Sequence, residues 1–122
     1  MTEPFDLRAF SAENRARCVS KKGFNHPLGS WSPAEWLVAA LGELGEAAGA
    51  VKELLRARDG VPGKGKSSEE NLANLADEIA DTVIYLDLLA QSAGFDLASI
   101  IRAKFDKTSR KIGFPTDKET GE

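Results

Sequence analysis

Apolar residues recur along this chain at helical spacing. At about 100° per residue, Trp36, Ala40, Leu44, Ala47, Val51 and Leu54 fall on one stripe, with Leu37, Leu41, Ala48 and Leu55 beside it. A second stripe passes through Leu72, Leu75, Ile79, Val83, Leu86 and Ala90, and a third through Leu97, Ile101, Phe105 and Ile112. A weaker set, Leu7, Phe10, Ala16 and Val19, marks a first helix from about Phe5 to Ser20, interrupted by Asn14, Arg15 and Arg17. The ends are punctuated. Ser32, Pro33 and Glu35 form a capping box with proline in the first turn, and Asp59-Gly60 closes that helix near Arg58. Ser67 and Glu70 open the next, which ends near Gly94. Asp96 caps a fourth that stops at Gly113 and Pro115. Lys21 to Trp31 and Val61 to Lys66 read as loops. The short links predict antiparallel neighbours, hence an all-α, antiparallel helical bundle of about four helices. One domain is expected over 1–113, with a polar tail over 114–122, and the stripes are expected to form its core.

Composition narrows the class. The chain has 122 residues, 42% hydrophobic and 29% charged, in the range of an ordinary globule. A net charge of −3 argues against a nucleic-acid binder. No run approaches the roughly 20 apolar residues of a membrane span, and Met1 to Arg17 lacks the apolar stretch of a signal peptide. A lone cysteine, Cys18, cannot close an internal disulfide, which fits a reducing, cytoplasmic setting; a buried structural thiol is its ordinary role. One histidine, His26, leaves no zinc site of several His and Cys ligands. A domain this small gains from self-association.

The chemistry lies in the acids. Glu43 sits at the edge of the second helix's stripe and Glu46 about 60° further round. Glu78 and Asp81 repeat the arrangement on the third helix. A single ExxE is common on solvated helices. Two such pairs at stripe borders of antiparallel neighbours bring four carboxylates together, and converging anions need a positive partner. Hard oxygen ligands without His or Cys suit Mg²⁺, with Mn²⁺ as the alternative. Asn74, Glu78, Asp81 and Tyr85 make one polar seam on the third helix. Lys104, Lys107 and Lys111 flank the fourth helix's apolar face, where they either snorkel or meet phosphate oxygens. Gly42, Gly45 and Gly49, with the strip Ile84/Leu88, suggest close approach of another subunit.

Gly42-Glu43-Leu44-Gly45-Glu46 followed by Asp77-Glu78-Ile79-Ala80-Asp81 resembles the ExxE…ExxD signature of the MazG-like, all-α nucleoside triphosphate pyrophosphohydrolases. Val83-Ile84-Tyr85-Leu86 and the helix opened by Asp96-Leu97 that carries Lys104 extend the likeness over Trp31 to Ile112, near the dCTP pyrophosphatase branch. The resemblance implies Mg²⁺ held by Glu43, Glu46, Glu78 and Asp81, phosphate contact by Lys104, and a substrate pocket lined by Tyr85. It also implies a homodimer or homotetramer. The chain departs from the dCTP branch at Thr108 and Ile112, where that branch carries an asparagine and a tyrosine against the base, and the insert from Ala47 to Asp77 is long. Trp31, Asn14 and Arg17 are further candidates for base or phosphate contacts; Trp36 also reads as core.

The expected reaction is cleavage of a nucleoside triphosphate to the monophosphate and pyrophosphate, with Glu46 orienting or deprotonating the attacking water. A phosphoribosyl-ATP pyrophosphohydrolase shares this chemistry. A non-catalytic nucleotide-binding helical oligomer is the competing class, and it does not require four converging acids.

Overall fold

The computed structural model describes residues 3–115. Four helices follow in order: α1 (Leu7–Val19), α2 (Pro33–Arg58), α3 (Ser68–Ser92) and α4 (Leu97–Ile112), with a short 3₁₀ turn at Leu28–Ser30. No strand occurs among the described residues. The ends fall where local chemistry sets them. Ser32/Glu35 and Ser67/Glu70 are both complete capping boxes, Asp96 accepts from the Ser99 amide, and Gly113 closes α4 at φ 79°. The expected tail falls mostly on 116–122, outside the described residues.

α2 and α3 form a long hairpin that dominates the packing. The stripe that α2 covers is Trp36, Ala40, Ala47 and Ala50, with Glu43 and Leu54 half-buried between and beyond them. Those positions advance by alternating fours and threes, the spacing of a two-helix seam. On α3 the covered side runs through Asn71, Asn74, Glu78, Asp81, Tyr85 and Leu88. The seam is therefore built from small residues on one helix and polar residues on the other.

This corrects the expected core. Leu44 (53% exposed), Ile79 (53%) and Phe105 (55%) lie open on the single chain, as do Leu37, Leu41, Leu72 and Val83. Helical periodicity shows which residues avoid water; it does not show whether the same chain covers them. The alanines let α3 approach closely, and that approach turns the larger aliphatic side chains outward.

α1 docks largely through polar groups; of its expected apolar set only Leu7 and Phe10 are half-buried. Ser11, Asn14 and Cys18 are its buried residues, whereas Ala16 and Val19 are exposed. Asp87 of α3, with no exposed surface, accepts from Ser11 Oγ, from Asn14 Nδ2 at 2.9 Å and from Gln91 Nε2 at 3.0 Å. Below this lock Cys18, Leu28, Trp36 and Leu88 form a small apolar core, where Trp36 Nε1 donates to Leu28 O at 3.0 Å.

α4 does not lie antiparallel to α3. It turns away by 99° after Gly94, whose φ of +85° makes the corner. An Arg8–Asp96 ion pair at 2.8 Å ties its start to α1. The guanidinium of Arg8, with Ser99, holds the Asp96 carboxyl down to about 2. No single helix among the described residues is long and apolar enough to cross a membrane.

Candidate functional site

The one-turn spacing on α2 sets Glu43 and Glu46 on one side, and the hairpin lays Glu78 against them. Carboxylate oxygens of these three lie within 4.8 Å of one another. Glu78 Oε2 is buried without a hydrogen-bond partner, an arrangement that costs free energy unless a proton or a cation fills the gap. Hydrogen bonding to Glu78 first and Glu46 second, with desolvation and mutual repulsion behind, pushes the Glu43 carboxyl up to about 8. A proton on Glu43 gives the cluster the donor it lacks. A divalent cation would do so more fully, and an all-oxygen donor set fits a hard ion. The fourth expected ligand, Asp81, lies outside this trio; with Glu43 it borders the adjoining cavity.

That cavity, of about 430 Å³, runs from Glu43 and Asp81 to a cluster of rings. His26 and Trp31 lie 4.6 Å apart between centroids, Trp31 and Trp36 4.7 Å, and Trp36 and Tyr85 6.3 Å. The turn after α1 brings the loop rings in. Gly23 packs so closely that an added Cβ would sit 1.9 Å from Arg17 O. The amides of Phe24 and His26 then donate back to Arg17 O and Cys18 O. Arg17 lies over the Phe24 ring at 5.2 Å, on the cavity wall. Rings of this kind accept a flat, π-faced ligand, and the acids beyond them suit its cation-neutralised charged end.

Of the residues singled out from sequence, Asn14, Arg17, Trp31, Tyr85, Glu43 and Asp81 share the cavity, and Glu46 and Glu78 adjoin it through the cluster. Lys104, Lys107 and Lys111 do not line it; all three are exposed on α4. Leu88, expected at a subunit interface with Ile84, is buried in the core, and both line the cavity. A Cβ on Gly42, Gly45 or Gly49 would meet nothing within 4 Å, so no described backbone approaches them closely. Cys18 is the structural thiol expected. Its Sγ donates to the backbone carbonyl of His26 at 3.2 Å, and burial raises its pKa. Phe24 and His26 were not expected in the wall. The signal for them was the density of rings between Phe24 and Trp36.

The MazG-like family model matches residues 45–122, which takes in Glu46, Glu78, Asp81 and Tyr85 and leaves α1 and the ring-bearing loop outside. No curated protein matches the chain.

Proposed function

Because the chain belongs to the MazG-like family, whose membership suggests pyrophosphohydrolase-type activity on nucleoside triphosphates, we propose that it cleaves a (deoxy)nucleoside triphosphate to the monophosphate and pyrophosphate. The observation that carries this reading is the carboxylate trio with its partnerless, buried Glu78 oxygen, opening beside a ring-lined cavity.

The base lies in the cavity against the ring cluster of Trp31, Trp36, His26 and Tyr85, and the phosphates extend toward Glu43 and Asp81. Glu43, Glu46 and Glu78 would hold Mg²⁺, or Mn²⁺ in its place, which supplies positive charge to offset the triphosphate and polarise the phosphorus under attack. Glu46 is the exposed member of the trio, so water reaches it, and it takes the proton of the water that attacks the α-phosphorus. The new bond joins that water's oxygen to the α-phosphorus. The bond to the bridging oxygen breaks, and the electron pair leaves with pyrophosphate. Arg17, on the cavity wall, balances charge on the phosphates.

The open aliphatic face of α2 and α3 supports a homodimer or homotetramer. In that assembly Lys104, Lys107 and Lys111 reach phosphate only across an interface between copies. A cytoplasmic setting keeps Cys18 reduced and supplies the nucleotide.

The test is incubation with each common ribo- and deoxynucleoside triphosphate, and with phosphoribosyl-ATP, in the presence of Mg²⁺ or Mn²⁺. Monophosphate and pyrophosphate in equal amounts are expected, and Glu46→Gln is expected to lower the rate by about 10²–10⁴-fold. Release of diphosphate and inorganic phosphate, or no turnover of any substrate, would overturn the assignment.

A further inference from the structure

Asn14 borders the cavity although only 3% of it is exposed. Its Nδ2 donates to Ile84 O at 3.0 Å and to Asp87 Oδ2 at 2.9 Å, so both amide hydrogens are committed to the protein. Asp87 is itself fixed by Ser11 and Gln91. The Asn14 amide therefore cannot turn over without setting its own oxygen against a carboxylate and a carbonyl. With Nδ2 committed, Oδ1 is the remaining polar atom of a side chain that lines the cavity.

A second acceptor accompanies it. His26 Nδ1 lies 3.0 Å from Pro27 O and 3.1 Å from Ser30 Oγ, and that hydroxyl already donates to Pro27 O. The network thus assigns the ring hydrogen to Nδ1, which leaves Nε2 of the uncharged ring as an acceptor.

We infer that Asn14 Oδ1, set in place by Asp87, accepts from an exocyclic amino group of the base, so that the cavity takes amino-bearing nucleobases ahead of their carbonyl-bearing counterparts. This rests on the reading that the cavity holds the base of a nucleotide. Asn14 is the specificity-determining group. Asp87 touches no ligand and is a positioning residue. An amino group satisfies the fixed acceptor. A carbonyl in its place sets oxygen against oxygen and strands both groups in a site sheltered from water, a mismatch that discriminates strongly.

The experiment is calorimetric binding of α,β-imido triphosphates, which are not cleaved, in two matched pairs with Mg²⁺: deoxycytidine against deoxyuridine, and deoxyadenosine against deoxyinosine. Within each pair the bases differ by amine for carbonyl and, beside it, by a ring-nitrogen acceptor for N–H. In the pair that fits, the amino member is expected to bind roughly 10- to 100-fold more tightly. Asp87→Asn keeps an oxygen toward Asn14 Nδ2 and Gln91 Nε2 and should keep the preference, Asp87→Ala leaves Asn14 held by Ile84 O alone and should lower it, and Asn14→Ala, which removes Oδ1, should bring it to within about threefold. Equal binding within both pairs by the unmodified protein, tighter binding of the carbonyl members, or no binding of any of the four would overturn the inference. Because no turnover is read, a clear preference without hydrolysis of ordinary triphosphates sinks the enzymatic reading alone. Hydrolysis without preference sinks this inference alone.

Discussion

Replacing Asp87 by alanine removes the acceptor through which α3 holds α1. Three buried or half-buried donors lose it: Ser11 Oγ, Asn14 Nδ2 and Gln91 Nε2. Asn14 keeps Ile84 O and Gln91 keeps Ser11 O, so each amide loses one of two partners. The Ser11 hydroxyl keeps none. Stranding that hydroxyl costs about 1–3 kcal/mol, and the two amides about 1 kcal/mol each, for a total of about 3–5 kcal/mol. Against the roughly 5–15 kcal/mol of a typical domain this is a large loss. It is also local, because the α2–α3 hairpin carries its own seam. Urea denaturation at one fixed protein concentration measures the total, and hydrogen exchange resolves where it falls. The α1 amides should lose protection well before those at the centre of α2 and α3. A loss below about 1 kcal/mol, or α1 protection unchanged in Asp87→Ala, would show that Asp87 does not hold α1 in place.

Three further outcomes follow from other parts of the molecule. With the Glu43 carboxyl raised to about 8 from an ordinary 4.5, the folded metal-free chain binds a proton that the unfolded chain has released. Its stability should therefore fall as pH rises from about 4.5 to 8 and level off above that. Mn²⁺ binding should release about 0.9 proton at pH 7 and about 0.1 at pH 9, read by calorimetry in buffers of different ionisation enthalpy; no release at pH 7 would contradict this. Gly23→Ala drives a methyl group to 1.9 Å from Arg17 O and should cost about 1–3 kcal/mol. It should also raise the nucleotide KM, since Phe24 and His26 follow that turn; a variant matching the parent in melting and KM would count against the turn's role. Leu44→Glu combined with Ile79→Glu places charge on the open aliphatic face and should yield monomers where the parent sediments as a dimer or tetramer. A parent that is monomeric at high concentration would dispose of the interface.

The sequence made helix ends legible because caps act over three or four residues. Ser32, Ser67, Asp96 and Gly113 each stand where the chain turns. Glu43, Glu46 and Glu78 were legible as a group because one-turn spacing and antiparallel pairing leave them little choice of neighbour. Which face lies inside was legible only in part: Trp36, Ala40 and Ala47 of the expected α2 stripe are covered, whereas Leu44 and Val51 are not. The seam is made of Ala40, Ala47 and Ala50 against Asn71 and Tyr85, while Leu44 and Ile79 face outward, an inversion of the usual rule. The buried role of Asp87 was hidden for a related reason. An acid in an apolar run reads as a break in the pattern until the donors from α1, more than seventy residues away, are placed around it. The 99° turn into α4 likewise arises from Gly94 and the Arg8–Asp96 pair rather than from any periodicity.

The activity proposed for this chain depends on Glu43, Glu46 and Glu78 forming a divalent-cation site. Electron paramagnetic titration of Mn²⁺ tests it most directly, on the unmodified protein and on Glu78→Gln, which keeps the shape of the side chain and removes its charge. A saturable site that Mg²⁺ competes for is expected in the parent, weakened by about 100-fold or more in the variant. Equal Mn²⁺ affinity in the two proteins, or no saturable binding in the parent, would contradict it.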